Sequence, residues 1–190
     1  MDAPVRRRGP GSRAGASHPT RHELLDAAAT VADRDGLDAL SINEVTREAG
    51  LAKGTFYVHF ADRTALLVEL HRRFHDDLYA AIAADTADIA PGPDRARARI
   101  RAFLDGSRRQ RGVRAMLLQA RSEPAILDEV GRRNDATARL LADDLRGAVD
   151  HPLETARLIV AATAETALLE LTAGRAQPRL RAALDALLPA

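Results

Sequence analysis

Cysteine and tryptophan are absent from this 190-residue chain, lysine occurs once, and the aromatic side chains are four Phe and two Tyr. Without cysteine there is no disulfide, thiolate metal site or cysteine nucleophile. No run of about 18 apolar residues occurs, so no transmembrane helix is expected. Arg6, Arg7 and Arg8 are not followed by the apolar stretch of a secretory signal. The motifs GxSxG, P-loop and GxGxxG are missing, and nothing in the chain points to catalysis or a cofactor. Apolar residues make up 46% of the chain. A packed core is therefore within reach, and a soluble cytoplasmic protein is expected.

Charge is distributed unevenly. Met1 to His18 carries Arg6, Arg7, Arg8 and Arg13 against Asp2 alone, whereas the part from Asp76 onward balances 17 basic with 17 acidic residues. The first segment is rich in Gly, Pro, Arg and Ser, lacks periodicity and reads as a disordered basic arm over residues 1–18. Such an arm is either a solvated tail or a contact for phosphates or a minor groove.

The remainder is patterned for helix, with no strand signal. Thr20 and Glu23 have capping-box spacing, Leu24, Leu25, Ala28, Val31 and Ala32 follow at helical intervals, and Gly36 reads as a left-handed C-cap. A second capping box, Ser41 and Glu44, opens a short helix that ends at Ala49 before Gly50. A third short helix spans about Lys53–Phe60. Asp62 caps a long fourth helix carrying Leu66, Leu67, Leu70 and Phe74, which is expected to stop by about Ile89. Further helices are marked by Ile100, Phe103 and Leu104, by Val113, Met116, Leu117 and Ala120, and by Leu127, Val130, Asn134, Thr137, Leu141 and Leu145 behind Ser122. Two more run from Pro152 to Gly174 and around Leu180–Leu188. The fold class is all-α, with about nine helices.

Two short helices around a tight turn make a helix-turn-helix. Val45 and Ala49 lie on the inner face of its first helix, where Leu51, Phe56 and Phe60 can meet them. Lys53, Gly54, Thr55, Tyr57, Val58 and His59 then face outward. Basic, hydroxyl and aromatic groups of this kind bond phosphates or touch base edges, and glycine at position 54 permits close backbone approach. Three of the six aromatics and the single lysine fall in this one segment.

The run from Ser41 to Leu67, with its Gly54-Thr55-Phe56-Tyr57-Val58-His59-Phe60 core, resembles the helix-turn-helix of the TetR/AcrR family, and the likeness covers roughly Thr20 to Phe74. The resemblance implies that Ser41, Tyr57 and His59 hold phosphates, that Asn43, Lys53, Thr55 and Val58 face bases, and that Arg63 grips phosphate where the family usually has lysine. Ala52 departs from the family's frequent capping serine, at a cost of about 1 kcal/mol, and Thr46 replaces a small alanine.

The resemblance further implies an N-terminal three-helix DNA-binding domain over residues 19–75, joined by a long helix to a helical ligand-binding and dimerisation domain over residues 76–190. Its partners would be an inverted-repeat DNA operator, a second copy of the chain and a small-molecule effector, with no membrane involved; the function implied is a repressor released by its ligand. The helix after Pro152 is apolar on two faces. Leu153, Ala156, Val160, Ala164, Ala167 and Leu171 form one, and Leu158, Ala162 and Leu169 lie on another. The second is covered either by a partner chain or by the last helix. Asn134 and Thr137 interrupt an apolar stripe, to meet a ligand, another side chain or water. Phe103, Met116 and Gln119 complete the candidate pocket wall. One aromatic follows Tyr79, too few for an aromatic cage.

His71 and His75 have metal-ligand spacing, but a solvated helical face is the better reading. The pairs Asp76-Asp77 and Asp143-Asp144 read as surface charge. A helical metal protein, or a helix-turn-helix that binds protein, are the competing classes.

Overall fold

The structure, a computed structural model, describes residues 19–36, 38–109 and 124–189. Among these the chain forms eight helices and no strand: α1 (Pro19–Asp35), α2 (Ile42–Glu48), α3 (Lys53–His59), α4 (Arg63–Asp85), α5 (Pro93–Arg109), α6 (Pro124–Leu145), α7 (Pro152–Ala173) and α8 (Pro178–Asp185). The basic arm, Leu37, Ser122 and the helix expected around Val113–Ala120 lie outside the described residues. The all-helical class is as expected. The cap at Thr20 is not, because α1 already begins at Pro19 and Thr20 sits inside its first turn. α4 ends at Asp85, short of Ile89, where the buried Thr86 takes over the turn. The Thr86 N–H and Oγ1 both donate to the Ile82 carbonyl, at 3.1 and 2.8 Å.

Two apolar cores lie one behind the other. The first joins α1 to α4 through Leu24, Val31, Val45, Phe56, Phe60 and Leu67, continues along α4 to Leu78 and Ile82, and takes in Ile126 from α6. The second joins α5 to α8 through Ile100, Leu104, Leu141, Leu145, Ile159 and Leu184. Phe103 touches both.

Because α4 is packed by α1, α5 and α6, more than one of its faces is enclosed. His71 and His75 are therefore buried rather than solvated. Their rings lie 4.4 Å apart and continue a ladder to Tyr79 and Phe103, with centroid spacings of 5.9 and 6.3 Å. On α6 the inward register starts at Ile126, leaving Leu127 and Asn134 exposed.

Buried carboxylates tie the helices together, each held by arginine. Glu129 on α6 accepts from Arg72 of α4 at 3.1 Å and from Arg132 and Arg133 of its own helix at 2.7 and 3.3 Å. Glu170 on α7 accepts from Arg181 Nε at 2.6 Å and from the Gln177 N–H at 2.9 Å. Asp144, expected on the surface with Asp143, has a fully enclosed side chain bonded by Arg95 and Arg99. Only Asp143 is solvated, because adjacent helical residues point about 100° apart.

α4 and α5 meet at Gly106, where an added Cβ would clash with the Leu78 Cδ1. Leu78 is itself buried, so it has little room to turn aside. Gly106→Ala is expected to destabilise the protein by about 1–3 kcal/mol in urea unfolding. Leu78→Ala in the same chain should recover part of that loss, and a double variant as unstable as the sum of the single changes would contradict the clash.

Candidate nucleic-acid interface and effector cavity

The helix-turn-helix is assembled from local signals. Ser41 caps α2, its Oγ accepting the Glu44 N–H at 3.2 Å. Only half of the expected capping box forms, because the Glu44 carboxylate is engaged by Arg34 at 3.4 Å and by Arg47. Arg34 also bonds Glu48 at 2.9 Å. Two acidic side chains of α2 are thereby neutralised on a domain expected to meet phosphate. These partners raise the Arg34 and Arg47 guanidinium pKa, chiefly through the hydrogen bonds that the guanidinium groups donate to Glu48 and Glu44 respectively.

The turn is made at Gly50, whose φ of 66° is the left-handed conformation that glycine adopts without steric cost. The Gly50 N–H donates to Arg47 O at 3.2 Å and the Leu51 N–H to Thr46 O at 2.9 Å, the paired bonds of a Schellman stop. Thr46 is buried without strain on its polar group, its hydroxyl lying 2.9 Å from Ile42 O and 3.1 Å from Asn43 O. At α3 the Ala52 side chain makes no capping bond, as its identity requires. Asp62 caps α4 by accepting the Ala65 N–H at 2.8 Å.

Phe56 and Phe60 are the inward anchors of α3. Ser41, Asn43, Lys53, Gly54, Tyr57 and Val58 are exposed, and Thr55, His59 and Arg63 are half-buried. Val58 is 77% exposed and Tyr57 52%, although neither side chain is charged. Nothing in the chain lies within 4 Å of a Cβ built on Gly54, and its φ is not positive. Neither backbone nor packing within the chain demands glycine there. Arg63 is turned partly inward, its Nε donating to Leu40 O at 2.6 Å, which straps the start of α4 to the segment before α2.

Behind this domain, α4, α5, α6 and α7 enclose a cavity of about 50 Å³. Of the expected wall residues, Phe103, Asn134 and Thr137 line it, with Asn134 at its exposed mouth; Met116 and Gln119 lie outside the described residues. Tyr79, Arg99 and Thr163 also line it and were not anticipated. Helical spacing from Phe103 points to Arg99, but one arginine in the run Arg95-Ala-Arg-Ala-Arg99 is not distinguished by composition. The Thr137 hydroxyl lies 2.8 Å from the Tyr79 hydroxyl and 2.9 Å from Arg133 O, linking α6 to α4 inside the cavity.

Residues 24–70 match the family model of bacterial regulatory proteins, tetR family. The stretch runs from within α1 to within α4 and contains the whole helix-turn-helix. The helix-turn-helix segment is of the tetR-family type. KstR2, a transcriptional repressor of Rhodococcus jostii, is 39% identical over 59 residues, 31% of this chain and 29% of that protein. FasR, a transcriptional activator of Mycolicibacterium smegmatis, is 30% identical over 98 residues, 50% of this chain and 45% of that one. The chain thus spans less than half the length of these curated relatives. Among solved structures, the multidrug binding protein EbrR complexed with imidazole aligns at a TM-score of 0.73 and 26% identity, over 93% of this chain and 96% of that one. A transcriptional regulator of Rhodococcus sp. Rha1, with a TM-score of 0.74, is 22% identical over 88% and 92% of the two chains and shows the shared fold.

The clamp at Glu129 connects the two halves and is acid-sensitive. Burial alone would raise the Glu129 pKa, but hydrogen bonds from Arg132 and Arg72, the Arg72 charge and the Arg133 bond outweigh it and hold it at about 2. Glu170 is lowered for the same kind of reason: its burial is outweighed by Arg181 and the Gln177 N–H. A depressed carboxyl contributes stability fully above its unfolded pKa of about 4.3 and loses it as pH falls toward the folded value. Glu129→Gln should therefore be less stable than the parent by about 2 kcal/mol at neutral pH. That gap should close between about pH 4.5 and pH 2, followed by urea unfolding at each pH. A gap independent of pH would refute the clamp.

Proposed function

We propose that this chain is a homodimeric transcriptional repressor that binds an inverted-repeat DNA operator through α3 and is released from it by a small molecule. The observation that carries the reading is the outward face of α3. Val58 and Tyr57 are exposed without packing purpose and Gly54 opens onto empty space, while Lys53 stands at the helix start and Phe56 and Phe60 fix its orientation from below. In this arrangement Ser41, Tyr57, His59 and Arg63 hold phosphates, and Asn43, Lys53, Thr55 and Val58 meet base edges. The Arg63 strap to Leu40 O leaves it a brace as well as a cation. The basic arm of residues 1–18 adds phosphate contacts. The name of KstR2 as a repressor supports the sign of regulation. No helix among the described residues is long and apolar enough to cross a membrane, and a DNA partner places the protein in the cytoplasm.

The effector reading follows from volume. A cavity of about 50 Å³ is far smaller than the roughly 150 Å³ of an apolar cavity that holds benzene. Any effector must part α4 from α6 and α7. α4 begins at the Arg63 strap, so its displacement reaches the helix-turn-helix directly. A ligand that favours the parted state lowers DNA affinity by linkage.

Titration of DNA at several salt concentrations tests the interface. Gly54→Ala should raise stability by up to about 1 kcal/mol yet weaken binding to every sequence, because its methyl occupies the gap to the backbone of DNA. Tyr57→Phe should weaken all sequences equally, whereas Thr55→Val should relax preference at one base pair, by about 1–3 kcal/mol. Gly54→Ala with unchanged affinity would remove α3 from the interface.

The dimer is proposed on α7 and α8. α8 packs beside α7, yet leaves Leu158 72% and Leu169 41% exposed, and its own Leu180 and Leu187 are 37% and 58% exposed. Leu158→Glu with Leu169→Glu should yield folded monomers that lose specific DNA binding, since one short helix reads too few base pairs and two must sit roughly 34–36 Å apart. Light scattering that shows a monomeric parent protein would end this reading.

A further inference from the structure

We propose that the cavity takes an apolar molecule with a carboxylate or similar anionic head, held by Arg99; this deepens the effector reading above and rests on it. The side chain of Asp144 is wholly enclosed beside the cavity wall. Arg95 bonds its Oδ1 through Nε at 2.7 Å and Nη2 at 2.6 Å, and Arg99 bonds its Oδ2 through Nη1 at 2.5 Å. Both oxygens are engaged, and two guanidinium groups face one carboxylate. One positive charge is left in surplus at the cavity wall.

Neighbouring acids do not neutralise it. Asp94 and Asp185 are directed to Arg97, Asp185 also to Arg101, and Asp105 to Arg181. Arg99 Nε and Nη2 have no acceptor among the described residues, while its side chain is only 14% exposed. Of the other polar groups of the wall, Asn134 stands at the exposed mouth and the rest are satisfied internally. Thr137 and Tyr79 bond each other, and Thr163 donates to Ile159 O at 2.7 Å. Around Arg99 the wall is Ile100, Phe103, Leu141 and Val160. An apolar body with one anionic end matches this lining, because a charge-assisted bond in a largely dry site is stronger than a neutral one. A cationic end meets repulsion.

Isothermal titration with octanoate, 1-octanol and octylamine separates head-group charge from apolar burial, since the tails are equal. Octanoate is expected to bind at least about tenfold more tightly than octanol, and octylamine more weakly than octanol. Arg99→Gln should bring octanoate down to the octanol level, and Arg99→Lys should keep the preference. If Arg99→Gln fails to fold by circular dichroism, the three ligands on the parent protein together with Arg99→Lys decide. Equal affinity for all three, a preference for octylamine, or an intact preference in folded Arg99→Gln overturns the charge assignment but leaves an effector cavity standing. Binding of none of the three brings down the effector reading with it.

Discussion

The double burial of α4 is the constraint on which the architecture depends. Its first half closes the core built on α1, Phe56 and Phe60, and its second half carries Leu78, Tyr79 and Ile82 between α5 and α6. The Gly106–Leu78 approach limits how far α4 can slide along α5, and the Arg72–Glu129 bond limits how far it can leave α6. The Arg63 strap fixes its start to the segment that precedes α2. Between these points α4 is a lever with defined stops, a physical requirement for transmitting a change at one end to the other.

Arginine makes the joints between helices. Glu129, Asp144 and Glu170 are buried carboxylates on α6 and α7, and each finds its partner at least partly on another element. A forked, always protonated guanidinium satisfies several lone pairs of an enclosed carboxylate from one side chain. This is one reason a chain with a single lysine can bury so many acids. Removing one partner leaves a desolvated charge, so these joints specify register more strongly than they add net stability.

Much of the DNA-binding half was legible in the sequence because its signals are local. The Ser41 cap, the left-handed Gly50, the inward Phe56 and Phe60 and the Asp62 cap each follow from residues within a few positions of one another. The helices from α5 onward depend on what packs against what. On α6 the expected stripe holds at Leu141 and Leu145 but not at Leu127, because an isoleucine and a leucine in succession fit two helical phases and Ile126 is the one that enters the core. His71, His75 and Asp144 were read as surface groups because polarity says nothing of how many helices surround a residue. Thr20 misled for a simpler reason: its hydroxyl and Glu23 have the right spacing, but Pro19 had already opened the helix. Arg99 was invisible for want of contrast, as one of many similar side chains.

The smallness of the cavity sets the sensitivity of any response built on it. Space is obtained by parting packed helices, so the apparent affinity of an entering molecule equals its affinity for the parted state multiplied by the fraction of time that state exists. Tighter contacts between α4 and α6 make that fraction smaller and move the concentration needed for response upward. On the proposed effector reading the Glu129 clamp is thus a set point: substitutions there retune the threshold without touching either the molecule bound or the face of α3.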